Sequence, residues 1–226
     1  MNINEHCLPL SFINLLHDNE FRHLESIAHQ YHCKKGDYVF QANQKDHYIY
    51  VMLSGRAKIS RMSLLGNELI QWFCMPGDIF GISGENNLSN KVYAQTISDS
   101  SVLRVKKNDF NQLMMNEPRV GLLVIEQLSL RIHALGDMVL YMASDNANIR
   151  LVKLLQYLMG NYGQANNEGI YIDIPTTHQD IADMIGTCRQ TASSIISEFK
   201  RDGILLVKRQ GIQIFKPEQL SKRLKH

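Results

Sequence analysis

The chain has 226 residues, 44% hydrophobic and 20% charged. That composition excludes wholesale disorder, and the length suits one large domain or two small ones. Lys and Arg total 24 against 22 Asp and Glu, a net +2 that does not by itself advertise nucleic-acid binding. The balance is uneven along the chain. Residues 1–144 carry 13 basic and 14 acidic side chains, residues 145–226 carry 11 and 8, and residues 200–226 carry eight and two. Such asymmetry points to a nucleic-acid or membrane partner for the C-terminal part, the plainer alternative being a solvated basic tail. The N-terminus MNINEHCLPL has no basic region followed by an apolar core, and no stretch approaches the ~20 apolar residues of a membrane span. A cytoplasmic location with no membrane partner is expected.

Residues 11–32 read as helical, with Leu15, Leu16, Phe21, Leu24, Ile27 and Ala28 at mixed three and four spacing. From 36 to 105 short runs rich in Tyr, Val, Ile, Phe and Trp alternate with turn residues: 37–40, 47–53, 56–60, 68–73, 91–97 and 101–105. Short strands at close spacing predict a small antiparallel barrel or roll. Pro118 suits the first turn of a long helix. Ile125, Leu128, Ile132, Leu135, Val139 and Met142 follow at heptad a/d spacing, which predicts a symmetric dimer seam; an internal core helix is the alternative. Ser144, Asp145 and Asn146 interrupt the pattern, and a further helix is expected from Ile149 to about Gly160. The fold class is therefore α+β, with three parts: a β-roll (1–116), a long helix expected to dimerise (117–144) and a C-terminal unit (145–226).

Residues 175–215 carry the sharpest motif. Thr177 and Asp180 form a capping box, a short helix follows with Ile181, Ala182 and Ile185 on one face, and Gly186 permits a sharp turn. Thr187 and Gln190 match a second capping box, opening a helix that buries Ala192, Ile195, Ile196 and Phe199. Two short helices about a Gly turn make a helix-turn-helix. Residues 204–207 and 212–215 flank Lys208, Arg209, Gln210 and Gly211 as a two-stranded wing with a basic tip. Arg189 can grip guanine and Gln190 adenine in the major groove, with Thr191, Ser193 and Ser194 on or beside the same face. Thr177, His178 and Gln179 at the first helix start, with Lys208 and Arg209 on the wing, suit phosphates.

These residues resemble the Crp/Fnr family of bacterial transcription regulators over nearly the whole chain. The resemblance is carried by KKGDYVFQANQKDHYIYVMLSGRAKIS (34–60), MPGDIFG (75–81), the heptad helix and THQDIADMIGTCRQTASSIISEFKRDGIL (177–205). It implies a homodimer on two-fold symmetric double-stranded DNA, a small effector in the roll, and RNA polymerase as a partner if the protein activates. The cyclic-AMP branch of the family carries Gly-Glu-Leu and an Arg pair in its phosphate cassette. Here Gly81-Ile82-Ser83 and Asn90-Lys91 stand in those places, with no Arg between Arg61 and Arg104, which argues against cyclic AMP. Cys7 and Cys33 do not match the N-terminal cluster of the iron–sulfur branch. Nine histidines raise haem, although surface histidines explain them more simply. Ser83, Glu85, Asn90, Lys91, Tyr93 and Gln95 are the candidate pocket residues for an unidentified effector. Two alternatives stand beside this reading: a sensory module acting through a protein partner, and a regulator without effector. No nucleophile elbow, P-loop, zinc-protease or dinucleotide motif occurs, so an enzyme is not expected.

Overall fold

The computed structural model describes residues 11–42, 47–82 and 91–223. The chain divides into two compact units, one running from Leu10 to Leu135 and the other from Gly136 onward. The division falls inside one long helix.

The first unit opens with helices α1 (Phe12–Leu15) and α2 (Asp18–Ile27). Eight strands follow: β1 (Ala28–Cys33), β2 (Tyr38–Phe40), β3 (Tyr48–Ser54), β4 (Ala57–Met62), β5 (Glu68–Cys74), β6 (Ile79–Phe80), β7 (Val92–Thr96) and β8 (Ser100–Lys106). Helices α3 (Lys107–Asn116) and α4 (Pro118–Ser144) come next. Two antiparallel sheets form, in the orders β1-β8-β3-β6 and β2-β7-β4-β5. The expected roll is thus present. The helical reading of 11–32 needs correction beyond Ile27. Residues 28–33 pair with β8 along their whole length, from Ala28 opposite Val105 to Cys33 opposite Ser100. Their polar, mostly exposed side chains lack the period-two apolar signal by which an isolated strand is recognised.

Strands β3 and β8 are apolar on both faces because each separates two cores. Ile49, Val51, Leu103 and Val105 pack with Phe12, Leu24, Phe110, Leu113, Val120 and Val124 from the helices. Tyr50, Met52 and Val102 pack with Phe40, Ile59, Cys74, Phe80 and Ala94 between the sheets. Burial of these side chains supplies the main stabilisation, ~1.5–3 kcal/mol for each large one. A buried carboxylate fastens α2 to α4: Glu20 Oε2 accepts from Arg119 Nη1 at 2.5 Å and from the His17 amide at 2.7 Å.

The second unit contains the end of α4, then α5 (Ala147–Tyr162), β9 (Gly163–Asn166), β10 (Gly169–Ile172), α6 (His178–Ile185), α7 (Arg189–Arg201), β11 (Leu205–Lys208), β12 (Gly211–Ile214) and α8 (Pro217–Lys222). Asn146 caps α5, its side chain accepting from the Ile149 amide at 3.0 Å. The two-stranded wing is a correction: β11 and β12 belong to a four-stranded sheet ordered β11-β12-β10-β9. The β9–β10 hairpin, rich in Gly, Asn and Gln, lacks the β-branched signature that marks strands in a sequence.

Candidate nucleic-acid interface

Both ends of α6 are built as its sequence dictates. Thr177 Oγ1 accepts from the Asp180 amide at 3.1 Å, and the Thr177 amide donates to Asp180 Oδ2 at 2.8 Å, completing the capping box. Such a cap contributes about 1 kcal/mol. Gly186 ends the helix in the left-handed region, at φ 60° and ψ 50°. The second capping box does not form. The N-cap of α7 is Cys188, one residue later than expected, and Gln190 makes no capping bond. Cys188 Sγ lies 3.1 Å from Thr191 Oγ1 instead. That hydroxyl, and then the Thr191 backbone N–H, hold the exposed thiol below its ordinary pKa.

The exposed end of α7 presents Arg189, Gln190 and Ser194, with Ser197 one turn on. Ala192, Ile195, Ile196 and Phe199 bury the opposite face. Ser193 is not free: its hydroxyl lies 2.9 Å from His178 Nδ1, so this pair ties α6 to α7. Gln179 donates to Asp183 Oδ1 at 2.6 Å. The Thr177 hydroxyl donates to Asp180 at 2.6 Å, and Thr191 is engaged with Cys188. Of the residues expected at a DNA surface, Arg189, Gln190 and Ser194 have no side-chain hydrogen bond among the described residues, whereas Thr177, His178, Gln179, Thr191 and Ser193 serve the scaffold.

At the wing, Lys208 faces Gly211 across the ladder, and Arg209 and Gln210 form the turn. All three side chains are exposed. The basic tail divides into two groups. Lys200, Arg201, Lys208 and Arg209 point to solvent, but Arg223 is spent internally. Its guanidinium pairs with Glu198 at 2.6 Å, with Asp202, and lies 4.6 Å from the Phe199 ring centroid, clasping α8 onto α7. Basic count alone could not separate these roles.

Along α4 the residues expected at a dimer seam fall into two sets. Ile125, Ile132 and Val139 are 63%, 69% and 68% exposed. Leu128, Leu135 and Met142 are half-buried. Leu128 packs on the first unit's core, and Met142 Cε approaches to 3.2 Å of a Cβ placed on Gly186. The exposed row is Leu122, Ile125, Ser129, Ile132, Gly136, Val139 and Ala143. It keeps the alternating three and four spacing, with Leu122 and then the small Ser129, Gly136 and Ala143 at one of its two heptad positions.

In the roll, Ser83, Glu85 and Asn90 lie outside the described residues. Lys91 is exposed at the start of β7. Tyr93 and Gln95 do not face the interior. Strand alternation turns Ala94 and Thr96 inward, leaving Tyr93 against Tyr38 at 6.0 Å and Gln95 donating to Gly36 O at 3.0 Å. The inter-sheet space holds Phe40, Tyr50 and Phe80, with centroids 5.5–6.2 Å apart. At Gly81, φ 79°, an added Cβ would lie 2.8 Å from Tyr50. The sequence offers no Arg between Arg61 and Arg104 to grip the phosphate of a cyclic nucleotide. Cys33 and Cys74 are buried free thiols, both pushed up chiefly by burial. Among the described residues no group of three His, Cys, Asp or Glu could hold a metal ion, and no helix is long and apolar enough to cross a membrane.

Comparison with known proteins accords with this geometry. Residues 30–117 match the model of the cyclic nucleotide-binding domain, and residues 149–223 that of the Crp-like helix-turn-helix domain. Electron transport regulator A of Shewanella oneidensis is 24% identical over 95% of this chain and 85% of its own length. The fumarate and nitrate reduction regulatory protein of Yersinia pestis is 25% identical over 97% and 87%. The structure of FixK2 from Bradyrhizobium japonicum shares the fold, with a TM-score of 0.75, 21% identity, and coverage of 87% of this chain and 96% of that one. A nucleotide-binding-type roll, a long helix and a winged helix-turn-helix in this order identify the chain as a member of the Crp/Fnr family of transcription regulators, not an enzyme.

Proposed function

We propose that the protein is a homodimer that reads a two-fold symmetric site on double-stranded DNA, in the cytoplasm, under the control of a small effector in the roll. One observation carries the reading. On α7, Arg189, Gln190 and Ser194 are exposed and make no side-chain bonds within the chain, and the remaining polar side chains of the motif are occupied in building the scaffold. A rigid α7 with an unspent Arg and Gln at its N-terminal end suits base edges in the major groove, where a bidentate contact discriminates by ~1–3 kcal/mol. Lys208 and Arg209 add phosphate contacts from the wing. The exposed row on α4 supports the dimer, since an apolar strip at heptad spacing is costly in water and small residues let two helices approach closely. RNA polymerase is the further partner if the protein activates transcription.

Selection from a pool of randomised duplexes tests this reading. The expected product is a site with two inverted half-sites centred about one helical turn, ~34 Å, apart. Recovery of duplexes with no shared sequence would contradict it.

A further inference from the structure

The corner between α4 and α5 is fastened at two points. Lys153, on the second turn of α5, reaches back across the corner: its Nζ lies 2.8 Å from Asp145 Oδ2 and 3.8 Å from the Tyr141 ring centroid. The side chains of Lys153 and Asp145 are 27% and 13% exposed, so salt screens this pair less than one on the open surface. The Asp145 amide donates to Tyr141 O at 3.0 Å, which continues the helical bonding of α4 up to the residue that Lys153 holds. Arg150, one turn earlier on the same side of α5, donates to Met142 O and to Gly186 O, at the turn between α6 and α7. Tyr141 and Met142 are successive residues, about 100° apart around α4. A grip at Met142 alone would leave the end of α4 free to pivot, and a second grip at Tyr141 removes that freedom. The Lys153 grip draws nothing from the packed face of α5, which buries Leu151, Val152, Leu155 and Leu158 instead.

We propose that Lys153 is a positioning residue for DNA recognition: through Asp145 and Tyr141 it fixes the separation of the two half-sites that a dimer reads. The proposal deepens the dimeric reading above and rests on it. Val139 and Ala143 of the exposed α4 row lie within one turn of Tyr141, so in a dimer joined along that row the corner is the last joint between the seam and the helix-turn-helix. A rigid corner gives the two α7 helices one separation, and half-site spacing then follows from protein geometry. A corner held at Met142 alone lets each α7 swing and accept several spacings. Lys153 acts on the end of α4, and the base-reading side chains of α7 stay as they are.

Spacer tolerance tests the role. Affinity of the full-length protein is measured for the selected duplex, for versions with one base pair added or removed between the half-sites, for versions with one half-site scrambled, and for a single half-site. Each base pair turns one half-site against the other by about 35°. The parent is expected to lose about tenfold or more at each altered spacing. In Lys153→Met that loss should shrink to about threefold or less, with single half-site affinity unchanged. Tyr141→Leu should move in the same direction, and it carries the test if Lys153→Met fails to fold by circular dichroism. Lys153→Arg, which can both pair with Asp145 and stack on the ring, should restore the parent's profile. A folded Lys153→Met with the parent's spacing profile overturns the proposal. So does a single half-site affinity that falls as far as that of the full site, because Lys153 would then act on the contacts of α7 itself. A parent indifferent to spacing yet weakened by scrambling one half-site overturns the proposal and leaves the dimeric reading standing, whereas a parent indifferent to both overturns the dimeric reading and the proposal with it.

Discussion

The Met142 side chain at the end of α4 rests on Gly186, the turn of the helix-turn-helix: a Cβ built on Gly186 would lie 3.2 Å from Met142 Cε and 3.7 Å from its sulfur. Arg150 reinforces the same joint, donating to Met142 O at 3.4 Å and to Gly186 O at 3.5 Å. The last turn of α4 is thereby packed against the motif rather than left as a free linker.

Gly186→Ala meets two costs at this joint. An L side chain is strained at φ 60°, and the new methyl must push the Met142 methyl aside. A loss of about 1–2 kcal/mol in unfolding free energy is expected, read from urea denaturation. Met142→Ala in the same background should recover part of the loss by removing the obstacle, leaving the strain at φ behind. Full recovery would show that backbone strain contributes nothing.

Arg189 and Lys208 should fail in different ways. Arg189→Ala is expected to lose ~1–3 kcal/mol on the preferred duplex and to relax base choice at one position. Lys208→Ala should weaken all duplexes alike and reduce the salt dependence by about one phosphate contact. Equilibrium titrations at several salt concentrations separate the two patterns.

His178 is predicted to act through Ser193. Ser193→Ala removes the 2.9 Å link between α6 and α7; a stability loss of about 1 kcal/mol is expected, with the sequence preference on DNA unchanged. A changed preference with unchanged stability would return Ser193 to the base-reading set.

On α4, Ile132→Glu places a charge in the exposed apolar row, whereas the equivalent change at exposed Leu130 lies off that row. Sedimentation is expected to show a monomer for the first and a dimer for the second. Dimers in both variants would move the seam elsewhere.

The Cys188 thiol is exposed and its pKa is lowered, chiefly by the Thr191 hydroxyl. The thiolate therefore forms at lower pH than in an ordinary cysteine. The pH midpoint for iodoacetamide labelling should lie below that of free cysteine and rise in Thr191→Val. Equal midpoints would remove the role of Thr191.

The strands from 37 to 105, the long helix and the helix-turn-helix were legible in the sequence because their signals are local: period-two runs, a heptad row, a Thr–Asp cap and a glycine turn. What escaped depended on partners far along the chain. Ala28–Cys33 is a strand because β8 lies beside it. Gly163–Ile172 extends the wing sheet because β12 pairs with β10. The α7 start lies one residue beyond Thr187, with Cys188 as its N-cap. Residue types alone do not show a division of labour at the candidate site: His178, Gln179 and Ser193 carry chemistry suited to DNA and spend it on neighbouring side chains. Tyr93 and Gln95 failed as pocket residues on simple strand parity, which Ala94 and Thr96 settle.

The central claim is that two copies of α7 read two equivalent half-sites. The most direct measurement compares affinity for the selected duplex with that for duplexes in which the left or the right half-site alone is scrambled. Equal losses of tenfold or more, about 1.4 kcal/mol or above, are predicted for either half. Affinity unchanged by scrambling one half would contradict the account.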